Sequence, residues 1–251
     1  MLRVLKLGGN EIDDAAWLGR LVTLVKYLVR RGETPVLVHG GGVEIGRLQT
    51  VLGGEPRFVA GLRVTDATAL RAATMVLCGT VSTRLVAILS ASGLDVLGMS
   101  GVDRELVLAT PITHPAGDLG LVGKPLCVRA DVLRQLLYNR IIPVLAPICA
   151  DGAGGWLNVN ADVLAGAVAA TMNADEAVFI SNVPGVLVNG KVAPRLNMAQ
   201  VEALIANGTI HGGMVPKVES ALKALKQGVK RVRITNIDST SGGTVFVDGT
   251  H

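Results

Sequence analysis

Residues 2–7, Leu-Arg-Val-Leu-Lys-Leu, form a short apolar run that stops on Gly8-Gly9, and residues 35–38 repeat the construction, stopping on His39-Gly40-Gly41-Gly42. Short runs of leucine and β-branched residues closed by glycine read as buried strands. Helical periodicity follows each one. Residues 13–31 place Leu18, Leu21, Val22, Val25, Leu28 and Val29 on one face, with Asp13 or Asp14 as cap and Gly32 as stop, and residues 43–52 continue from the second glycine cluster. A chain that repeats strand, glycine turn and helix is restricted to an α/β sheet, where ligands sit outside the carboxyl ends of the strands. Glycine there lets backbone N–H groups approach an anion with no side chain between, and a helix N-terminus adds a favourable field. Lys6 brings a cation to the first of these turns, and a phosphate would fit.

Composition narrows the choice further. Of 251 residues, 49% are hydrophobic and 3% aromatic, so the core must be built from Val, Leu, Ile and Ala. That is the makeup of a mainly parallel sheet covered by helices on both faces. The length suits one large or two modest lobes, and a shift to turns and shorter elements places a boundary near Asp175. No uninterrupted apolar run reaches the roughly 18 residues that cross a bilayer, and the first residues read as a strand rather than a leader, so the expected location is the cytosol with no membrane contact. Cys78, Cys127 and Cys149 are scattered and give neither a disulfide framework nor a zinc site, which leaves them as core filler. The net charge of +4 comes without a basic run, which argues against nucleic acid and suits an anionic small molecule or an acidic partner. Neither glycine cluster has Walker A or G-x-G-x-x-G spacing, which excludes a standard P-loop or Rossmann cofactor.

Residues 58–64 read as a hairpin leading into a helix capped by Thr65 or Asp66, and 66–92 as helix, in two pieces around Gly79, long enough to pair with a second subunit. A strand at 95–98, a loop at 99–103, hairpin strands at 105–110 and 119–128, and a helix at 131–139 follow. Residues 142–148 form a strand despite Pro143 and Pro147, and 151–155 a glycine-rich turn. Asn158-Val159-Asn160-Ala161-Asp162 then opens a small-residue helix to 172. The rest reads as a strand at 177–181, a helix at 198–206, another ending at Gly228, and strands at 230–235 and 244–247 separated by a Ser/Gly turn.

Taken singly, most candidate residues have an ordinary role. Lys6 and Lys217 are solvated lysines, Arg63 a surface charge, Asn158 and Asn160 turn or cap residues. His39 stabilises its loop, with no second ligand spaced to share a metal. Asp162 resists this treatment, because a carboxylate in an Ala/Gly/Val-rich helix needs a cationic or hydrogen-bonding partner.

Together, Lys6-Leu7-Gly8-Gly9, Val38-His39-Gly40-Gly41-Gly42, Gly61-Leu62-Arg63-Val64-Thr65-Asp66, Asn158-Val159-Asn160-Ala161-Asp162 and Gly213-Met214-Val215-Pro216-Lys217 closely resemble the N-acetylglutamate kinases of the amino acid kinase family. Order and spacing agree from the first strand to about residue 235. The resemblance implies an α/β fold, a three-layer αβα sandwich with a mainly parallel central sheet. Residues 1–175 would form an N-terminal lobe for the acyl acceptor and homodimerisation, and 176–251 a C-terminal lobe for ATP. The implied reaction is ATP- and Mg²⁺-dependent phosphorylation of the γ-carboxylate of N-acetyl-L-glutamate, in arginine biosynthesis. Lys6 and Lys217 would lie on the transferring phosphoryl group, with Asp162 holding both ammonium groups. The amides of Gly8, Gly9, Gly41 and Gly42 would face phosphates and acceptor, Arg63 would grip the α-carboxylate and Asn158 the acetylamino end. Asn182, Val183, Pro184, Gly185, Val186 and Leu187, with Thr209, Ile210 and His211, would line the nucleotide.

The chemistry needs no more than this. The acceptor is already ionised at neutral pH, so no general base is required, and the chain has no Ser–His or His–Asp constellation. What remains is repulsion between anions, met by lysines, amides, helix N-termini and Mg²⁺. Ser181-Asn182-Val183 departs from the family's Ser-Asp-Val and removes one carboxylate near the nucleotide. The ending lacks the His and Glu signature of arginine-inhibited members, and no extra N-terminal helix precedes the first strand, so the expectation is a dimer that arginine does not inhibit. A rival is a kinase for aminoadipate or glutamate carried on an acidic amino-group carrier protein, favoured by a pI of about 9.1 and by residues 231–236. Against it, Arg63-Val64-Thr65-Asp66 lacks the Ser-Arg pair those kinases tend to carry. A non-catalytic amino-acid sensor would have lost one of the lysines or Asp162.

Overall fold

The computed structural model describes residues 1–9, 11–59, 61–115, 117–239 and 242–249. The chain opens with β1 (Leu2–Leu7), α1 (Ala15–Arg30), β2 (Thr34–His39) and α2 (Gly42–Val51), followed by a small hairpin, β3 (Phe58–Val59) and β4 (Leu62–Arg63). One continuous helix comes next, made of α3 (Ala67–Thr74), a π-helical stretch (Met75–Val81) and α4 (Ser82–Ala91). Then come β5 (Val96–Gly101), β6 (Val107–Pro111), β7 (Val122–Val128), α5 (Ala130–Tyr138), β8 (Ile142–Ala150), β9 (Trp156–Val159), α6 (Ala161–Thr171) and β10 (Glu176–Ile180). The remainder is β11 (Leu187–Val188), β12 (Lys191–Val192), β13 (Arg195–Asn197), α7 (Met198–Ala206), α8 (Val215–Lys226), β14 (Val232–Thr235) and β15 (Thr244–Val247).

The central sheet has eleven strands in the order β13-β15-β14-β10-β1-β2-β8-β6-β7-β9, with β5 added on β8. Pairing is parallel except at β6–β7, β8–β9 and β14–β15. Strand alternation sorts the core into two clusters. Val4, Val38, Leu145 and Phe179 face α5, α6 and α8, whereas Leu5, Leu37, Val144 and Ile180 face α1, α3 and α4. The result is the three-layer αβα sandwich, with one core on each face of the sheet.

β1 lies at the centre. Lys6 stands opposite Val38 of β2 on one side and Phe179 of β10 on the other. Below it, at the amino ends of the strands, Glu176 is 1% exposed and receives Arg233 Nη2 at 2.8 Å and Arg3 Nε at 3.4 Å, while Arg3 also pairs with Glu33 at 3.1 Å.

Several expectations needed revision. The helix does not divide at Gly79, because a π-helical widening carries it through to Ala91. At 25 residues this helix, Ala67–Ala91, is long and apolar enough to cross a bilayer by length and composition, contrary to the expectation that no run would be. Its Val76, Leu77, Val81, Leu85 and Leu89 are buried against the sheet. β5 runs to Gly101 where a loop was expected. Residues 156–159 are a strand that the sequence reading did not include, and the helix opens only at Ala161, since Asn158 pairs with both Val122 of β7 and Ile148 of β8. Cys78 and Cys127 are exposed, so only Cys149 is core filler. Residues 240 and 241 of the last turn lie outside the described residues.

Candidate active site

The carboxyl ends of β1 and β2 open onto a cleft of about 470 Å³ lined by Lys6, Gly9, Gly40 to Gly42, Arg63, Asn158 and Asp162, among others. The two glycine turns interlock at its base. A Cβ on Gly9 would sit 2.6 Å from the amide nitrogen of Gly41 and 3.0 Å from that of Gly42, so only glycine allows the approach. The first N–H groups of α2, unpaired as at any helix start, face the same space. Gly8 differs from the expectation. Its N–H donates to Ile180 O at 3.1 Å and stitches β1 to β10, so it is not free to meet a phosphate.

Lys6 Nζ pairs with Asp162 Oδ1 at 2.9 Å, the two side chains being 16% and 22% exposed. Asp162 is the second residue of α6, where a carboxylate complements the helix dipole. Asn160 caps that helix by accepting from the amides of Asp162 and Val163 at 2.8 and 3.2 Å, which fixes the carboxylate's height above the sheet. Asp162 directly holds one ammonium group, not the two expected. Lys217, in the first turn of α8, instead donates to Asn182 Oδ1 at 3.3 Å. Its pKa is lowered by burial first and by the like charge of Lys6 second, with Asp162 and Glu11 acting in the opposite sense. The two lysines therefore share one electrostatic environment.

Arg63 projects from the hairpin into the cleft. Nη1 donates to Gln49 Oε1 and Nη2 to Gly42 O, both at 2.9 Å, and the Phe58 ring lies 4.8 Å from the guanidinium carbon. Among the described residues no carboxylate pairs with it, and burial pulls its pKa down, which is the signature of a cation waiting for an anion. Asn158 donates from Nδ2 to Thr65 Oγ1 at 3.1 Å, and Thr65 in turn donates to Arg63 O at 3.0 Å. That leaves Asn158 Oδ1 as an acceptor for an amide N–H in the cleft.

The nucleotide set is less uniform. Asn182 comes two residues after the end of β10, beside the end of β1, and Thr209 to His211 immediately precede the turn into α8. Val186 and Ile210 are corrections. Both side chains are buried in the core, at 0% and 2% exposure, and line nothing. Gly185 is packed against Thr244, whose Oγ1 would lie 2.8 Å from a Cβ there. Three contributors escaped the sequence reading. Gln49 was legible in principle, as a polar residue one turn after Ile45 on the inward face of α2. Thr65 was read within its motif as a cap candidate, whereas it links Asn158 to Arg63, and Glu11 carried no signal beyond its place after the first glycine pair.

The chain belongs to the amino acid kinase family, whose model matches residues 1–236. Its relatives narrow that class to acetylglutamate kinases. The acetylglutamate kinase of Roseiflexus castenholzii is 58% identical over 97% of this chain and 93% of that protein, and that of Chloroflexus aurantiacus 44% over 99% and 97%. Among solved structures, a Streptococcus mutans protein superposes with a TM-score of 0.86 at 31% identity, covering 98% of both chains. The N-acetylglutamate synthase of Neisseria gonorrhoeae, solved with coenzyme A and N-acetyl-glutamate, gives 0.86 at 25% identity over this whole chain and 60% of that one.

Proposed function

We propose that the chain transfers the γ-phosphoryl group of ATP to the side-chain carboxylate of N-acetyl-L-glutamate, an early step towards arginine. The observation that carries this reading is the Lys6–Asp162 pair at the floor of a cleft whose far wall holds Arg63 with no counter-charge. A dicarboxylate with one blocked amine fits that spacing of functions. Arg63 takes the α-carboxylate, Asn158 Oδ1 the acetylamino N–H, and the amides of Gly41 and Gly42 the reacting carboxylate. Lys6 and Lys217 then approach the transferring phosphoryl oxygens from two sides, and Asp162 fixes Lys6 against the repulsion of Lys217. No residue moves a proton, because the acceptor is ionised at neutral pH.

Residues 176–251, with Asn182, Val183, Pro184, Leu187, Thr209 and His211, supply the nucleotide side, and 1–175 the acceptor side. Among the described residues no three carboxylate, histidine or cysteine side chains gather as a metal cage. Mg²⁺ would be brought in with the nucleotide, and Glu11 and Asp162, the carboxylates that act on Lys217, are the residues that would lie beside it. When bound, the ion offsets charge on the β- and γ-phosphates. The long helix Ala67–Ala91 exposes Met75 at its midsection and offers a face for a second copy of this chain, the homodimer we expect.

The test presents the protein with MgATP and either free N-acetyl-L-glutamate or carrier-bound aminoadipate, trapping acyl phosphate as hydroxamate. Product from the free acceptor, lost in Lys6→Arg, supports the reading. Product from the carrier-bound acceptor alone overturns it.

A further inference from the structure

We propose that Gln49 is a positioning residue that sets the preference for acceptors bearing a free α-carboxylate, by aiming the Arg63 guanidinium without neutralising it. The inference rests on the reading of Arg63 given above. Gln49 is 1% exposed, and its carboxamide is fixed at both ends. Nε2 donates to Glu55 O at 3.1 Å, which obliges Oε1 to face Arg63 Nη1 at 2.9 Å. Gly42 O takes one hydrogen of Nη2, and the Phe58 ring covers the guanidinium. Of five N–H groups, two are spent on neutral carbonyls and three remain, enough for a bidentate carboxylate.

Neutrality is the point of the arrangement. A glutamate at position 49 would occupy the same space and accept the same bond, yet it would satisfy the charge that the ligand must meet, and its second oxygen would oppose Glu55 O. A leucine would keep the volume and the apolar face of α2 while freeing one arm of the fork. The two changes thus separate loss of aim from loss of charge.

The experiment compares wild type, Gln49→Glu, Gln49→Leu and Arg63→Gln at saturating MgATP, using N-acetyl-L-glutamate and its α-carboxamide analogue. Gln49→Leu should raise the acceptor KM about tenfold, the weight of one hydrogen bond to a charged group. Gln49→Glu should raise it about 100-fold and bring the carboxylate-to-amide preference close to unity, because like charges then face each other. KM for ATP should not move in either. If both Gln49 variants keep the wild-type preference while Arg63→Gln abolishes it, the inference is wrong and the role of Arg63 stands. Should Arg63→Gln also keep the preference, the reading of Arg63 fails and the inference falls with it.

Discussion

His39 ends β2 directly before the glycine turn, and its burial makes the stability of that region depend on pH. The ring is wholly buried, Nδ1–H donates to Gly40 O at 3.1 Å, and Nε2 has no partner among the described residues. Burial lowers the pKa from 6.5 to about 4, with the Gly40 bond resisting weakly. Between those two values the unfolded chain accepts a proton that the native state refuses. Stability is therefore complete above the ordinary value, declines as the pH falls toward 4, and stops declining once the native ring protonates too. With a difference of that size, the loss between about pH 7 and about pH 5 comes to about 2 kcal/mol from this residue alone. His39→Asn keeps an amide nitrogen near the Nδ1 position and removes the titration. Its cavity costs stability equally at every pH. Urea denaturation of both proteins at about pH 7, 6 and 5 gives the comparison, since all other titrating groups cancel in the difference. The gap between wild type and variant should close by about 2 kcal/mol on acidification. Parallel pH profiles would refute the assignment of a neutral, proton-refusing ring.

Two further outcomes follow from packing. Gly9→Ala places a methyl group 2.6 Å from Gly41 N, so the interlocked turns must separate, and kcat/KM should fall about 100-fold while far-UV circular dichroism stays unchanged. Glu176→Gln removes the carboxylate charge that Arg3 and Arg233 share at a site 1% exposed, and should cost about 3 kcal/mol, or roughly 6–12 °C in Tm, with kcat intact below the transition. An unchanged Tm would show that the surrounding arginines find other partners.

What the sequence disclosed follows from how local each signal is. Lys6, Gly9 and the glycines after His39 sit at strand ends that apolar patterning marks clearly, so their meeting at one sheet edge was legible before any coordinates. Asp13 or Asp14 and Thr65 or Asp66 were read as caps for the same reason, and the structure selects Asp14 and Asp66, each accepting from the amide three residues on. β9 was missed because Trp156, Leu157, Asn158 and Val159 lack a strong strand pattern and are held by β7 and β8, a purely tertiary cause. Nothing in Met75 to Val81 marks a π-helix, whose wider turn is imposed by packing against β8 and β5. Pro143 and Pro147 each lack an N–H for a ladder, yet β8 lies inside the sheet, paired with β2, β5, β6 and β9. The hold of Asn182 on Lys217 joins two segments 35 residues apart through side chains alone, which no spacing rule reports.

β9 also carries one of the chain's two indoles. Trp156, two residues before Asn158, is 43% exposed and donates through Nε1 to Thr74 Oγ1 at 3.1 Å, while Trp17, in the first turn of α1, is buried against the sheet. The molecule thus has a built-in pair of fluorophores in unlike surroundings, one half-exposed on β9 beside the cleft residue Asn158 and the other in the interior. Replacing Trp17 by phenylalanine would leave a single optical probe two residues from Asn158 of the cleft, readable without any label.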